Sequence, residues 1–342
     1  MLRALARALA FLVVLAAVIG GGVAWFLHAY RAPGPLTAPA TLVIERGSGL
    51  TAIAAQLEAA GVVENRWVFL AGTALDGGDR ALKAGEYAFA PGTSPAEAAD
   101  LLARGSNVSH KITVPEGLTS AEIVALVQAE PLLTGGAGDI PAEGSLLPET
   151  YQFIRGDTRA AVIDRMRKAM RQEVDALWAR RGNGLPVKSP QDAVTLASIV
   201  EKETGVPAER PVVASVFLNR LQAGMPLQSD PTVIYALTEG KKPLGRPLTR
   251  ADWKLDSPYN TYVVAGLPPG PIANPGRDAL AAVLKPAVTD YYYFVADGSG
   301  GHVFARTLEE HNRNVAEWQK RRQAAPPNPG DAAPDTGDTI ER

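Results

Sequence analysis

One apolar run near the start of the chain constrains everything that follows it. Ala8–Tyr30 is almost uninterrupted by polar side chains, and its length meets the roughly 20 residues that a helix needs to cross a bilayer. Arg3 and Arg7 precede the run, and basic residues on this side favour a cytoplasmic N-terminus. We therefore expect a transmembrane anchor over residues 1–31 and a short Pro/Ala-rich linker over residues 32–40.

A cleaved signal peptide is the competing interpretation of this run. The run is long for the apolar segment of a signal peptide, and its exit, WFLHAYRAPG, has no small-x-small cleavage site. Trp25 and Tyr30 suit the far interface of a membrane. The pattern favours an uncleaved anchor, with the rest of the chain outside the cytoplasmic membrane.

Composition and charge narrow the classes of function. The 342 residues suffice for two modest domains with their own cores. A net charge of −2 provides no basic field for nucleic acid. The chain has no cysteine, which excludes disulfides, thiol catalysis and Cys-based zinc sites. His302 and His311 lie on different predicted elements without a second cluster of ligands, so we expect no metal site and no cofactor.

A strand–turn–helix pattern recurs three times after the linker. The segments TLVIE, EYAFA and KITVPE lead to Gly47, Gly92 and Gly117, and an apolar helix face follows each glycine. Capping boxes open the second and third helices, at Ser94–Glu97 and Thr119–Glu122. The repeat predicts a small domain of mixed helices and strands.

The segment from Gln191 to Leu237 combines apolar helices with a group of polar residues. The apolar spacing predicts amphipathic helices at about 191–204 and 211–221, then a polar loop at 228–232 and a short apolar element. Further on, the turn sequence at 297–301 predicts a hairpin.

The first of these helices ends in two carboxylates, Glu201 and Glu203. A carboxyl group at the end of an apolar helix suits general acid catalysis, because burial raises its pKa and keeps the proton on it. Spacing alone does not choose between them. Solvated carboxylates beside Lys202 are the simpler interpretation of an isolated Glu-Lys-Glu.

Six sequence segments, taken together, favour the catalytic interpretation of these carboxylates over the solvated one. They are SIVEKET (Ser198–Thr204), VASVFLNRL (Val213–Leu221), LQSDPTVIYAL (Leu227–Leu237), SPYNTY (Ser257–Tyr262), GLPPGPIANPG (Gly266–Gly276) and YYYFVADGSGGHVFARTLEEHN (Tyr291–Asn312). In this order they resemble the MltG (YceG-like) family, the endolytic murein transglycosylases of the bacterial inner membrane. The resemblance extends from the anchor to about Gln323.

The resemblance implies an α+β fold and a division into domains. After the transmembrane helix and linker we expect a LysM-like α/β subdomain over residues 41–107, a mixed α+β catalytic domain over 108–323, and a disordered tail over 324–342. It implies that Glu201, after Ser-Ile-Val, is the catalytic acid. The polar or aromatic residues expected around the substrate are Glu203, Asn219, Gln228, Ser229, Asp230, Tyr259 and Asn260.

The implied activity is cleavage of the bond between N-acetylmuramic acid and N-acetylglucosamine within nascent glycan strands. It leaves 1,6-anhydro ends, ends strand elongation and needs only one carboxyl group. The implied partners are peptidoglycan strands, the membrane and cell-wall synthases, with the catalytic domain in the periplasm. Two alternatives stay open: a hydrolase with Asp230 as second carboxylate, and a non-catalytic, membrane-tethered peptidoglycan-binding scaffold.

Overall fold

The computed structural model describes residues 2–76 and 82–324, so the predicted disordered tail lies outside the described residues except for its first position. Helices and three two-stranded sheets form a mixed α+β architecture within the described ranges, as the sequence predicts. Two compact units result. The first takes in the chain up to His110 and the segment Gln152–Asp157, and the second takes in Lys111–Tyr151 and the chain from Thr158 onward.

The N-terminal helix, α1 (Leu2–Arg31), is long and apolar enough to cross a membrane. Trp25 is 63% exposed, but Tyr30 is only 4% exposed. The Tyr30 ring stacks on Phe26 and lies against Gly72, where an added Cβ would come within 2.2 Å of the ring. This side chain therefore anchors the end of α1 to the first unit, and its place at a membrane interface stays a prediction.

The first unit is built from short elements around its own core. These are β1 (Ala40–Ile44), α2 (Leu50–Ala59), α3 (Arg66–Leu75), β2 (Gly85–Phe89) and α4 (Pro95–Arg104). β1 and β2 are antiparallel, with Leu42 opposite Tyr87. Large apolar side chains from the strands and helices fill the core, among them Ile53, Leu57, Phe69, Tyr87, Phe89 and Leu102.

The threefold strand–turn–helix repeat is confirmed in the backbone. Gly47, Gly92 and Gly117 have φ angles of 84°, 72° and 75°, the left-handed region that favours glycine. The third strand is β3 (His110–Thr113), and it pairs with β4 (Thr150–Phe153) in a second two-stranded sheet. Both predicted capping boxes form, at the starts of α4 and of α5 (Ser120–Ala129).

The second unit is mainly helical and ends in a hairpin and a helix. Its further elements are α6 (Arg159–Trp178), α7 (Pro190–Glu203), α8 (Arg210–Gln222), α9 (Asp230–Thr238), α10 (Arg277–Leu284), β5 (Tyr293–Ala296), β6 (His302–Ala305) and α11 (Leu308–Ala324). The predicted hairpin is confirmed: β5 and β6 are antiparallel, with Phe294 opposite Phe304.

Helix α7 lies at the centre of the second unit and packs on α6, α8, α9 and α10. Every residue from 193 to 200 is buried, and α8 buries 213–218 in the same way. The prediction of amphipathic helices is therefore wrong for this pair, because neighbours cover them on all sides. The predicted polar loop also ends early, since α9 begins at Asp230 with Pro231 in its first turn.

Candidate functional site

The C-terminal end of α7 lies between two different buried environments. Glu201 and Glu203 are the last carboxylates of this helix. At about 100° per residue, side chains two positions apart on a helix differ in direction by roughly 200°. The two carboxyl groups accordingly have different partners, and each set of partners defines a cluster of its own.

The Glu201 carboxylate accepts hydrogen bonds at both oxygens. Oε1 receives Arg210 Nη2 at 3.1 Å, and Oε2 receives the backbone N–H of Gly276 at 2.8 Å. Its side chain is 5% exposed. Burial raises the pKa of Glu201 and the nearby Glu116 raises it further, whereas the Gly276 N–H and Arg210 lower it.

Arg210 is shared among three carboxylates. Besides Glu201 it contacts Glu116 at 3.0 Å and Asp278 at 3.5 Å, while its own side chain is only 9% exposed. Gly276 permits this arrangement, because a Cβ there would lie 1.8 Å from the Glu116 carboxylate. A cavity of about 370 Å³ opens beside Glu116 and Asp278. This Arg210 cluster is a closed ion-pair network in which Glu201 has no unoccupied oxygen.

Glu203 has a different environment. Its Oε1 accepts the Ser229 hydroxyl at 2.5 Å, and Oε2 accepts no hydrogen bond from any described residue, while the residue as a whole is half-buried. Burial raises the pKa of Glu203 to about 7, with Asp230 raising it and Ser229 and Arg220 lowering it. A carboxyl group with this pKa carries a proton in part of the population at neutral pH, and one of its oxygens is open.

A chain of buried hydroxyl groups fixes Ser229 beside Glu203. The Ser229 N–H donates to Thr261 Oγ1 at 3.0 Å, and Thr232 Oγ1 donates to the Ser229 carbonyl at 2.6 Å. The two threonine hydroxyls lie 2.8 Å apart. Gln228, immediately before Ser229, has φ of 53°. This left-handed conformation is unfavourable for glutamine and is typical of strained positions at functional sites.

Arg220 provides the positive charge on this side of α7. It is 6% exposed and donates through Nη1 to the Leu227 carbonyl at 2.9 Å and to Gln228 Oε1 at 3.3 Å. Its Nε donates to the Tyr292 carbonyl at 2.6 Å. No carboxylate among the described residues pairs with it directly, so Arg220 acts on Glu203 at longer range. Arg220 also holds the strained Gln228 segment in place.

Asp230 joins the same cluster through two aromatic residues. Its Oδ1 accepts the Trp253 indole N–H at 2.8 Å and the Tyr262 hydroxyl at 2.7 Å. The predicted residues that the structure brings together are thus Glu203, Ser229, Gln228 and Asp230. Together with the side chains that contact them, which are Arg220, Thr232, Thr261, Trp253 and Tyr262, we call them the Glu203 cluster. Glu201 lies in the Arg210 cluster instead.

Three other predicted residues have structural contacts: two asparagines through hydrogen bonds of their amides, and a tyrosine through packing of its ring. The Asn219 amide donates to the carbonyls of Thr289 and Tyr291. Asn260 is fully buried; its amide donates to the Trp253 and Leu255 carbonyls and accepts the Tyr262 N–H. Tyr259 packs on the core and contacts the Tyr235 ring at 4.9 Å. These side chains shape the segments that carry the cluster.

His302 and His311 also have contacts with neighbouring side chains of the protein. His302 Nδ1 lies 2.7 Å from Glu209 Oε2. His311 is buried against the Tyr293 ring, and its Nδ1 has no hydrogen-bond partner among the described residues. Within residues 2–76 and 82–324, no group of three metal-ligating side chains is close enough to hold an ion.

The sequence motifs do not single out Arg210, Arg220, Thr261 or Trp253, although all four are part of the two clusters. One signal was present for the arginines. Arg210 begins the largely apolar helix α8 and Arg220 lies near its end, and a buried arginine needs partners. Trp253 gives no such signal, because its role depends on Asp230 and Tyr262 meeting it from two other segments.

Comparisons with known proteins agree with the motifs. The profile of the YceG-like family matches residues 42–317. An endolytic murein transglycosylase of Bacillus subtilis is 44% identical over 175 residues, 51% of this chain and 47% of that protein. One of Streptococcus pneumoniae is 31% identical over 362 aligned positions, 90% of this chain and 64% of that protein.

The chain thus spans about half to two thirds of the length of these curated relatives. The crystal structure of a yceG-like protein from Listeria monocytogenes is 32% identical, with a TM-score of 0.48, and the match covers 80% of this chain and 98% of that one. The family profile extends over most of the chain. The chain therefore belongs to the YceG-like family.

Proposed function

We propose that this protein is a membrane-anchored lytic transglycosylase that cleaves peptidoglycan glycan strands internally. Two relatives that carry the name endolytic murein transglycosylase support this reaction class. The single observation that carries the chemistry is Glu203, a buried carboxyl group with a pKa near 7 and one open oxygen. A general acid needs both properties, a proton at working pH and a free atom to deliver it.

The geometry favours Glu203 over Glu201 as this acid. Resemblance to the family assigns the role to Glu201, and that assignment stays a prediction. The two oxygens of Glu201 are occupied by the Arg210 guanidinium and the Gly276 N–H. Delivering a proton from Glu201 would require one of these bonds to break first. In this proposal Glu203 delivers its proton from Oε2, and the bond from Ser229 to Oε1 stays intact.

In the proposed reaction, protonated Glu203 donates its proton to the oxygen that links N-acetylmuramic acid to N-acetylglucosamine. The bond from C1 of muramic acid to this oxygen breaks, and the leaving strand departs with a new hydroxyl group. The substrate's N-acetyl group stabilises the cationic sugar. Glu203, now a carboxylate, takes the proton from the C6 hydroxyl, whose oxygen bonds to C1. The product is a 1,6-anhydro ring, no water is consumed, and Glu203 regains its proton.

The neighbours of Glu203 have supporting roles in this proposal. Ser229 orients the carboxyl group through its hydroxyl, and Arg220 stabilises the carboxylate that forms after proton donation. Asp230 is engaged by Trp253 and Tyr262 at one oxygen. We assign it to substrate binding, which leaves Glu203 to act as both acid and base.

The remaining assignments extend the same proposal to the whole chain. We place the chain in a bacterial inner membrane through residues 1–31, with a cytoplasmic N-terminus and a linker at 32–40. Residues 41–107 form a LysM-like subdomain, which the closed core of the first unit supports. Residues 108–323 form the catalytic domain, and 324–342 a disordered tail. Cleavage near the membrane would end elongation of nascent strands, with cell-wall synthases as partners.

The product of cleavage tests this function. The full chain in detergent would be incubated with long uncrosslinked glycan strands, and the fragments analysed by mass spectrometry. We expect internal fragments ending in anhydromuramic acid from the wild type and from Glu201→Gln, and nearly none from Glu203→Gln. Fragments one water heavier would mean hydrolysis, with Asp230 as the second carboxylate. Intact strands retained by wild-type protein would mean a binding scaffold and overturn the proposal.

A further inference from the structure

Helix α3 of the first unit has an exposed apolar face. Trp67 is 63% exposed and Leu75 is 76% exposed, and Ala71 and Ala74 are exposed between them. At about 100° per residue, these four side chains point into one sector of roughly 100° around the helix axis. We call these four residues the α3 face.

The opposite side of α3 packs in the core of the first unit, where Phe69 and Gly72 are buried. A surface helix usually turns polar side chains to water, whereas α3 is apolar on both sides. Beyond α1, the described part of the first unit exposes three large apolar side chains. Two of them lie on the α3 face, and the third is Ile154. The exposed apolar groups are therefore concentrated on one helix face rather than scattered singly.

Helix α3 lies directly against the end of the apolar helix α1. Tyr30 is 4% exposed, and its ring meets the α3 backbone at Gly72, where an added Cβ would come within 2.2 Å of it. Leu75 points about 60° away from the direction of Gly72 around the α3 axis. The α3 face therefore borders the contact between α3 and α1.

This contact sets the depth of α3 relative to a membrane that α1 spans. Trp25 is 63% exposed on α1 and precedes Tyr30 by five residues, roughly 7.5 Å along the helix. Tryptophan favours the boundary between hydrocarbon and headgroups, and each headgroup region is about 5 to 7 Å thick. With Trp25 at this boundary, the α3 residues packed on Tyr30 lie at the level of the headgroups.

The charged groups beside the α3 face are of both signs. Arg66 lies over the Trp67 ring, 5.2 Å from its centroid, and pairs with Glu58 at 3.7 Å. Glu64 and Asp76 are exposed at the two ends of α3. Mixed charges give no net attraction to anionic lipid, so burial of apolar surface would drive the contact. A neutral phosphatidylcholine membrane is therefore the appropriate probe.

We propose that the α3 face binds the membrane surface beside α1, with Trp67 and Leu75 inserted at the boundary between headgroups and acyl chains. The inference rests on the membrane span in the proposed function and does not depend on the cleavage chemistry. A single helix leaves the attached unit free to tilt on the membrane. The α3 face adds a second contact next to the first and so fixes the orientation of the first unit.

Site-specific labelling tests this contact, because the chain has no cysteine of its own. Leu75→Cys would carry a nitrobenzoxadiazole fluorophore in the full chain, reconstituted in phosphatidylcholine nanodiscs. Quenching would be measured with iodide in the water and with doxyl-labelled lipid in the bilayer. Ala52→Cys is the matched control, exposed in the same unit at the end of α2 that is remote from the connection to α3. Val18→Cys, at a position that is 66% exposed on α1, reports the membrane span itself.

We expect doxyl lipid to quench the labels at positions 18 and 75, and iodide to quench the label at position 52. Trp67→Glu added to Leu75→Cys should lower the lipid quenching about twofold or more, because a carboxylate is unfavourable at the acyl boundary. Ala52→Glu in the same background should leave it unchanged. Unchanged quenching with Trp67→Glu would show that the fluorophore rather than the α3 face enters the lipid, and would overturn the proposal.

The two quenchers distinguish the possible occupants of the face. Quenching of position 75 by iodide alone would mean a face open to water, and protection from both quenchers would mean a protein cover, such as a second copy of the chain. Either result overturns the lipid contact. Loss of lipid quenching at position 18 would overturn the membrane span together with this inference. Lipid quenching at positions 18 and 75 in a protein that leaves glycan strands uncut would support the contact and overturn only the catalytic proposal.

Discussion

Glu201 and Glu203 end the same helix, yet one carboxyl group pairs directly with an arginine and the other accepts one hydroxyl group. Glu201 is paired with Arg210, which also holds Glu116 and Asp278. Glu203 receives a single hydroxyl, from Ser229, and has its cation, Arg220, at longer range. Burial raises the pKa of both carboxyls. The two carboxyl groups differ in whether one oxygen is left without a hydrogen-bond donor.

This contrast separates a structural ion pair from a reactive acid. A carboxylate whose two oxygens both accept hydrogen bonds is held in place by its partners, and its removal leaves those partners unpaired at a cost in folding energy. A buried carboxyl with one open oxygen costs stability when it ionises, and proteins keep such groups where chemistry uses them. The two clusters should therefore respond to opposite kinds of mutation, the Arg210 cluster in stability and the Glu203 cluster in rate.

The largest expected effect is on turnover. Glu203→Gln should lower kcat for strand cleavage by roughly 100- to 10,000-fold, the range for loss of a general acid and base. Glu201→Gln should lower kcat by less than about tenfold, because its two bonds are structural. The rate of anhydromuramic acid release measures both, with circular dichroism as the control for folding. A reversal of the two results would return the catalytic role to Glu201.

The next effect is on stability. Arg210→Met leaves Glu201 buried without its cation, and we expect a loss of about 3 to 5 kcal/mol in the free energy of unfolding. Adding Glu201→Gln to Arg210→Met should recover part of that loss, because the unpaired charge is removed. Urea denaturation of the three variants closes this double-mutant cycle. Additive losses would mean that the pair is not coupled.

The sequence predicts much of the fold, but it predicts little of the difference between the environments of Glu201 and Glu203. Repeated glycines, capping boxes and the hairpin turn are local signals, and each specifies its own element. Burial of α7 and α8 on all sides is decided by neighbours distant in sequence. Local apolar spacing therefore predicts helices there but not their environment.

The same limit applies to the two carboxylates. The residues that distinguish them come from separate segments: Arg210 and Gly276 for Glu201, and Ser229 for Glu203. A motif places Glu201 and Glu203 together, but it carries no information on which oxygen is occupied. The arginines are visible as charges within an apolar helix, although the sequence does not show which carboxylate each one meets.

The third effect concerns the pH dependence of the rate. Glu203 must be protonated to act, so activity should fall as pH rises through its pKa, about 7. The Ser229 hydroxyl lowers this pKa. Ser229→Ala should therefore move the alkaline limb of the pH–rate profile to higher pH and reduce the rate about tenfold through lost orientation. Ser229→Thr keeps a hydroxyl and should leave the limb in place. A lower rate with an unmoved limb in Ser229→Ala would indicate a purely structural role.

The smallest effect is the pH dependence of stability. The folded-state pKa of Glu203, about 7, lies above the ordinary value of 4.5, so ionisation destabilises the folded protein as pH rises through that interval. Below about pH 4.5 the group is protonated in both states and costs nothing. Glu203→Gln should therefore gain roughly 1 kcal/mol on the wild type between pH 5 and pH 6, whereas Glu201→Gln, which leaves Arg210 short of a partner, should be less stable at pH 6. Thermal denaturation at the two pH values measures this gain. An equal pH response in wild type and Glu203→Gln would mean that Glu203 ionises as freely as in the unfolded chain, and the open oxygen would then belong to an ordinary surface carboxylate.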